Sequence, residues 1–201
     1  MNTRLRTTIR TTLAATAILG SVVLAGCSDS SSAMPSMGAS SAAAPSASSA
    51  ATFNDADVKF AQMMTPHHQQ AVEMSTMILA KKGVDADVTK LAEQIKAAQE
   101  PEITTMQGWL TEWGQPTMGA MAMGGSGEMS QADMDNLDKA DGATGQQLYL
   151  QGMIKHHQGA IQMAQDEVAN GKNLDAVALA KNIVSTQQEE ITTMNGLLTK
   201  L

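Results

Sequence analysis

The chain has 201 residues, with 13 Lys plus Arg against 20 Asp plus Glu for a net charge of −7, and it carries 16 methionines, four histidines and one cysteine. The acidic balance excludes a surface that binds nucleic acid by neutralising phosphates. A single cysteine excludes a disulfide within the chain, so stability has to come from packing or from a bound metal.

Arg4, Arg6 and Arg10 precede an uncharged run from Thr11 to Ala25 rich in Leu, Ala, Val and Ile, and Cys27 follows it. Residues 1–26 therefore read as a signal peptide. The run is shorter than the roughly 20 apolar residues a membrane span needs. Leu24-Ala25-Gly26-Cys27 resembles a bacterial lipobox, which makes Cys27 the lipidation site and the first residue of the exported chain. Removing residues 1–26 takes three arginines and no acidic group, leaving 10 basic against 20 acidic residues and a net charge of −10. So acidic a protein is not drawn to an anionic bilayer by its charge, and the lipid is the expected tether. The expected location is the outer face of the bacterial cytoplasmic membrane, or the periplasm.

Residues 27–52 are almost entirely Ser and Ala with two prolines, Pro35 and Pro45. Such a segment buries too little apolar surface to offset its ordering entropy, so a disordered linker is expected there. One folded domain is expected over residues 53–201, a length that supports a core.

That domain is written twice. Phe60-Ala-Gln-Met-Met-Thr-Pro-His67-His68-Gln-Gln-Ala-Val-Glu-Met74 aligns without a gap to Tyr149-Leu-Gln-Gly-Met-Ile-Lys-His156-His157-Gln-Gly-Ala-Ile-Gln-Met163, and Glu102-Ile-Thr-Thr-Met106 recurs as Glu190-Ile-Thr-Thr-Met194. Each copy holds two helical patterns separated by a turn, at Lys81-Lys82-Gly83 and at Asn170-Gly171-Lys172, with Asp85 and Asn173 placed to cap the helix that follows. Leu91, Ile95 and Ala98 with Glu102, and Leu179, Ile183 and Thr186 with Glu190, step by three and four residues, the period of an amphipathic helix. Two duplicated helical hairpins that must bury their apolar faces together predict an all-α four-helix bundle with an internal two-fold. Pro66 and Pro101 fall inside first-copy helices and predict a kink or a local boundary there. The stretch 114–145 between the hairpins is rich in Met and Gly and reads as a long connection, with one short helix near Ser130 to Asp138.

The four histidines form two adjacent pairs, His67-His68 and His156-His157, at matching positions of the repeat. Neighbours on a helix point about 100° apart, so each pair can send one ring to the core and the other to a groove. Met64 precedes His67 by three residues and Met63 by four, and Met74 follows by seven. Met153 and Met163 repeat the pattern around His156, with Gly152 in place of Met63. Imidazole and thioether together suit copper, Cu(I) first with Cu(II) or Ag(I) as alternatives, over oxygen-seeking Mg, Ca or Mn. Met118, Met121, Met123, Met129 and Met134 in the connection have few apolar neighbours to pack on, which favours a ligand role; filling the core is the equally open reading for Met64, Met74, Met106, Met153, Met163 and Met194. Glu102 and Glu190 are candidates to orient an imidazole.

The doubled Met-x-x-His-His-Gln-x-Ala-Val/Ile-x-Met motif, with the lipobox before it, resembles the family called domain of unknown function 305. The resemblance implies a ferritin-like fold, export, copper binding and a part in copper tolerance or trafficking, with His67, His68, His156, His157, Met64, Met74, Met153 and Met163 as ligands and an unknown protein partner for transfer. No enzyme is expected. A ferritin-like di-iron oxidase needs Glu three residues before His, and Met64 and Met153 stand there instead. A helical adaptor gripping a partner through its Met-rich loop is the other alternative.

Overall fold

In the computed structural model of the chain, the described residues are 52–118 and 127–201. The signal peptide, Cys27, the linker up to Ala51 and the loop methionines Met121 and Met123 lie outside them. Five helices and no strand make up the described residues: α1 Asp55–Leu79, α2 Ala86–Glu112, α3 Gln131–Lys139, α4 Gly142–Asn170 and α5 Leu174–Leu198. The all-α expectation holds, and the short connecting helix forms where the sequence placed it. None of these helices is long and apolar enough to cross a membrane.

Each helix starts at a residue whose side chain accepts a hydrogen bond from the free N–H groups of the first turn: Asn54, Asp85, Ser130, Asp141 and Asn173. Asn54 and Asp57 form a reciprocal box, with the Asn54 N–H donating to Asp57 Oδ2 at 2.6 Å. Gly83 closes the first hairpin turn at φ 78°, a left-handed conformation that suits glycine. α1 runs unbroken through Pro66 and α2 through Pro101, so neither proline marks a boundary. The loss of one intrahelical N–H at each is absorbed within helices of 25 and 27 residues that are anchored by packing on both sides of the proline.

α1 packs along α2, α4 packs along α5, and α1 crosses α4, while α3 lies against α1 and α4. The start of α1 is bolted to the turn between α4 and α5: the Lys172 and Asn173 N–H groups donate to Asp57 Oδ1 at 3.0 and 2.8 Å. At the matching place in the other half, Gln146 Oε1 accepts from the Asp85 N–H at 2.8 Å. Each helix pair therefore secures the turn of the other.

The core divides into two apolar clusters. One gathers Met74, Ile78, Leu91, Ile95, Tyr149, Leu150, Met153 and Met194, with Met134 and Leu137 from α3. The other gathers Phe60, Met64, Met106, Leu110, Trp113, Ala160 and Ile183. Met64 and Met106 fall in one cluster and their repeat partners Met153 and Met194 in the other. One expectation needs correction: Ala98 and Thr186 are exposed, and the buried residues beside them are Gln99 and Gln187. The inward stripe advances by four residues from Leu91 to Ile95 and again to Gln99, so the apolar period is interrupted by an amide.

Candidate metal centre

Between the two clusters, where α1 crosses α4, the core turns polar. His67, His68, His156 and His157 are all fully buried, with 0% exposure, and Gln99 and Gln187 lie with them among the buried polar residues. Neighbours about 100° apart on a helix are both covered when the helix is packed on more than one side, so the expected division of each pair between core and open groove is not seen.

His67 and His156, one from each hairpin, meet face to face with ring centroids 3.6 Å apart and planes inclined by 37°. His68 and His157 flank them, each 6.4 Å from its sequence neighbour by ring centroid. The four rings thus run in a row, His68, His67, His156, His157, through the middle of the molecule. At the outer ends, His68 Nε2 lies 2.9 Å from Glu102 Oε2 and His157 Nε2 lies 2.7 Å from Glu190 Oε2. A carboxylate accepts only, so the ring proton sits on Nε2 and is donated outward. The Nδ1 atom of each outer ring faces the interior, and there neither His68 Nδ1 nor His157 Nδ1 meets a hydrogen-bond partner. A histidine whose far nitrogen is held by a carboxylate while its near nitrogen stays open has the arrangement found around protein-bound metals.

His156 goes further, since neither of its ring nitrogens has a hydrogen-bond partner. Burial holds its pKa well below the usual imidazole value, and the neighbouring rings of His67, His157 and His68 push in the same direction. The ring is therefore neutral at physiological pH, with a basic lone pair in an apolar setting. A buried polar atom left unpaired costs about 1–3 kcal/mol, and a site with several of them at one level of the core calls for a physical reason.

Among the described residues no three His, Cys, Asp or Glu side chains converge closely enough to form a metal cluster by themselves. Any cation held here would need sulfur as well as nitrogen. Met64 and Met153, three residues before His67 and His156 on the same helices, are fully buried at 0% exposure and are the nearest thioethers along the chain. Because ring lone pairs lie in the ring plane, a cation shared by His67 and His156 would sit at their edges rather than between their faces.

Among the described residues, the remaining candidate methionines pack or lie elsewhere. Met74 lies two turns beyond His67, about 10 Å along α1, and packs in the core. Met63 and Met163 line a separate surface cavity. Met118 is 37% exposed beyond the end of α2. Met134 is core, and Met129 packs against it; the ligand role expected of these two gives way to packing, because α3 supplies the apolar face that the connection lacks as a linear sequence. The burial of Gln99 and Gln187 was missed. Their signal was present in the sequence, as a matched pair of amides three residues before Glu102 and Glu190.

The family model described as "Domain of unknown function (DUF305)" matches residues 57–198. A protein from Streptomyces coelicolor described as a secreted DUF305 protein is 36% identical, covering 72% of this chain and 93% of its own, with a TM-score of 0.67. A DUF305 fragment from Deinococcus radiodurans is 30% identical over 74% of this chain and 98% of its own, also at 0.67. CopM in its Cu(I)-bound form is 31% identical over 72% of this chain and 96% of its own, with a TM-score of 0.61, and CopM has also been solved in Cu(II)-bound, Ag-bound and apo forms. No curated protein matches. The chain belongs to the DUF305 family.

Proposed function

We propose that this protein is an exported, lipid-anchored copper-binding protein that takes up Cu(I) reversibly outside the cytoplasmic membrane, in copper tolerance or trafficking, and performs no catalysis. The observation that carries the reading is the buried row of four imidazoles, in which His156 has no partner for either nitrogen and His68 and His157 each keep an open Nδ1. Neutral imidazole beside thioether is a donor set for Cu(I), Ag(I) and, less well, Cu(II). The similarity to CopM, whose forms include Cu(I), Cu(II) and Ag complexes, supports the same ion class.

In this reading the fold is a ferritin-like four-helix bundle made by duplicating one hairpin, and the centre lies on its two-fold. His67 and His156 are the central ligands with Met64 and Met153 as the sulfur donors, and Glu102 and Glu190 hold His68 and His157 in the tautomer that presents Nδ1 inward. Cys27 carries the lipid. Met118, Met121 and Met123 form an outer set of thioethers. The absence of Glu three residues before each histidine argues against a di-iron oxidase.

The test is a competition titration of the chain with Cu(I) against a chromophoric chelator, run beside Zn(II) and Fe(II). Tight Cu(I) binding that is lost when the four histidines are substituted supports the reading. Fe(II) uptake with oxygen consumption, or no Cu(I) binding, overturns it.

A further inference from the structure

The two-fold that relates the hairpins also relates two grooves between α1 and α4, and the chain treats them differently. In one, Gly152 stands where the first repeat has Met63, and a Cβ placed there would lie 2.7 Å from Met129 Sδ and 3.3 Å from the Met74 methyl. The sulfur of Met129 thus occupies the space that a larger residue at 152 would take. Gln70 locks it in place, its Nε2 donating to the Met129 carbonyl at 3.0 Å and its Oε1 accepting the Met129 N–H at 2.9 Å. Met74 and Met129 fill the space beside Gly152 and leave a smaller cavity of about 210 Å³, lined by Met129, Gly152 and Lys155.

In the other groove the residue matching Gln70 is Gly159, so the clamp is missing. Here Phe60, Met63, Gly159 and Met163 line a cavity of about 390 Å³ that opens to solvent, with Asp166 and Glu167 on its α4 wall. Met63 and Met163 again contribute a pair of thioethers, from two helices, and among the described residues no side chain is clamped over them as Met129 is over Met74. Glu167 is only 1% exposed and its carboxyl is engaged with that of Asp57, so the charge on this wall comes from Asp166. Lys59 lines the cavity as well; its long stem allows the ammonium to remain in water.

We propose that the Met63–Met163 cavity is a second cation site, reachable from solvent and separate from the histidine row, that takes one soft monovalent cation on two thioethers beside the acidic α4 wall. It rests on the soft-cation reading above and on none of the histidines. Thioethers keep their lone pairs at any pH, so such a site loads in conditions where exposed imidazole would be protonated. A cation has no charged ligand to neutralise it on sulfur alone, and Asp166 on the cavity wall supplies that field. The cavity is then the port at which the cation first leaves water, with the buried row as a second station.

The experiment uses the full chain labelled with 13C-methyl methionine and titrated with Ag(I), in three forms: unaltered, Met63→Leu with Met163→Leu, and His67→Gln with His156→Gln. The Met63 and Met163 methyl resonances are expected to shift together in the unaltered chain and in the histidine variant, and the methionine variant is expected to bind one equivalent less. If those two resonances stay still while histidine resonances respond to Ag(I), this site is refuted and the histidine reading stands. If the two methyls shift only when the histidines are intact, the site is not separate, and the proposal falls. If neither responds, both readings fall.

Discussion

Replacing His156 by Leu is expected to make the metal-free protein more stable and, at the same time, to remove the stabilisation that metal confers. His156 is 0% exposed and neither ring nitrogen has a hydrogen-bond partner. An unsatisfied buried polar atom costs about 1–3 kcal/mol. The imidazole is nearly the size of a leucine side chain, so His156→Leu removes that penalty without opening a large void, and a gain of about 2 kcal/mol is a reasonable central value. For a domain of this length that corresponds to a rise in melting temperature of about 4–8 °C. The unaltered protein should gain about 2.7 kcal/mol from a cation present at one hundred times its dissociation constant, and the variant should lose most of that gain. Thermal unfolding followed by circular dichroism, with and without Ag(I), measures both quantities. A metal-free His156→Leu protein that melts below the unaltered chain would refute the reasoning, because it would mean that the ring's nitrogens are satisfied in the folded state and the ring is structural.

Glu190→Gln should leave the fold intact and weaken Cu(I) binding by about 10–100-fold, the usual effect of losing the carboxylate that orients a ligand histidine; competition against a chelator measures it, and an unchanged affinity would remove Glu190 from the site. The lowered pKa of His156 gives a pH dependence of defined sign: the folded ring resists protonation that the unfolded ring accepts near 6.5, so metal-free stability is full above that value and falls as pH drops below it, by up to about 1.4 kcal/mol per pH unit. Urea midpoints between pH 7 and 5 in the unaltered chain and in His156→Leu test this, since the fall should be smaller in the variant. Glu167 works in the opposite direction. Burial, with the Asp57 carboxyl beside it, raises its pKa to about 8 from 4.5, so its contribution is full below pH 4.5 and is lost as pH rises through 8. Glu167→Gln should therefore flatten the alkaline side of the stability profile, and an unchanged slope between pH 6 and 8 would show that the carboxyl is ionised in the folded protein.

The contrast between Ile78 and Glu167 shows how far the repeat alone carries. Both occupy the same place in their hairpins, yet one is ordinary core and the other is a buried acid. Periodicity placed both helices but could not foresee the acid's surroundings, because Asp57 reaches it from more than a hundred residues away in the chain. Gln99 and Gln187 teach a related lesson. Their burial follows from the i, i+4 register with Ile95 and Ile183, but amides on an inward stripe look like misplaced surface residues in the linear sequence.

The sequence by itself determined the helices with their caps and turns, because these depend on local hydrogen bonding and on the 3.6-residue period, and it singled out the four histidines by their matching places in the repeat. Proline was the exception among local signals, since packing on either side of Pro66 and Pro101 outweighs one lost amide bond. Only the tertiary structure decided which of the described methionines are covered and which line a cavity. Met129 and Met134 read as open ligands in the linear chain and are packed against or within the core, while Met63 and Met163, which share a pattern with the histidines, line a cavity of their own. A thioether is both a good ligand and a good core filler, so its role is set by whether another helix covers it, and that is a property of the packed molecule rather than of any segment of the chain.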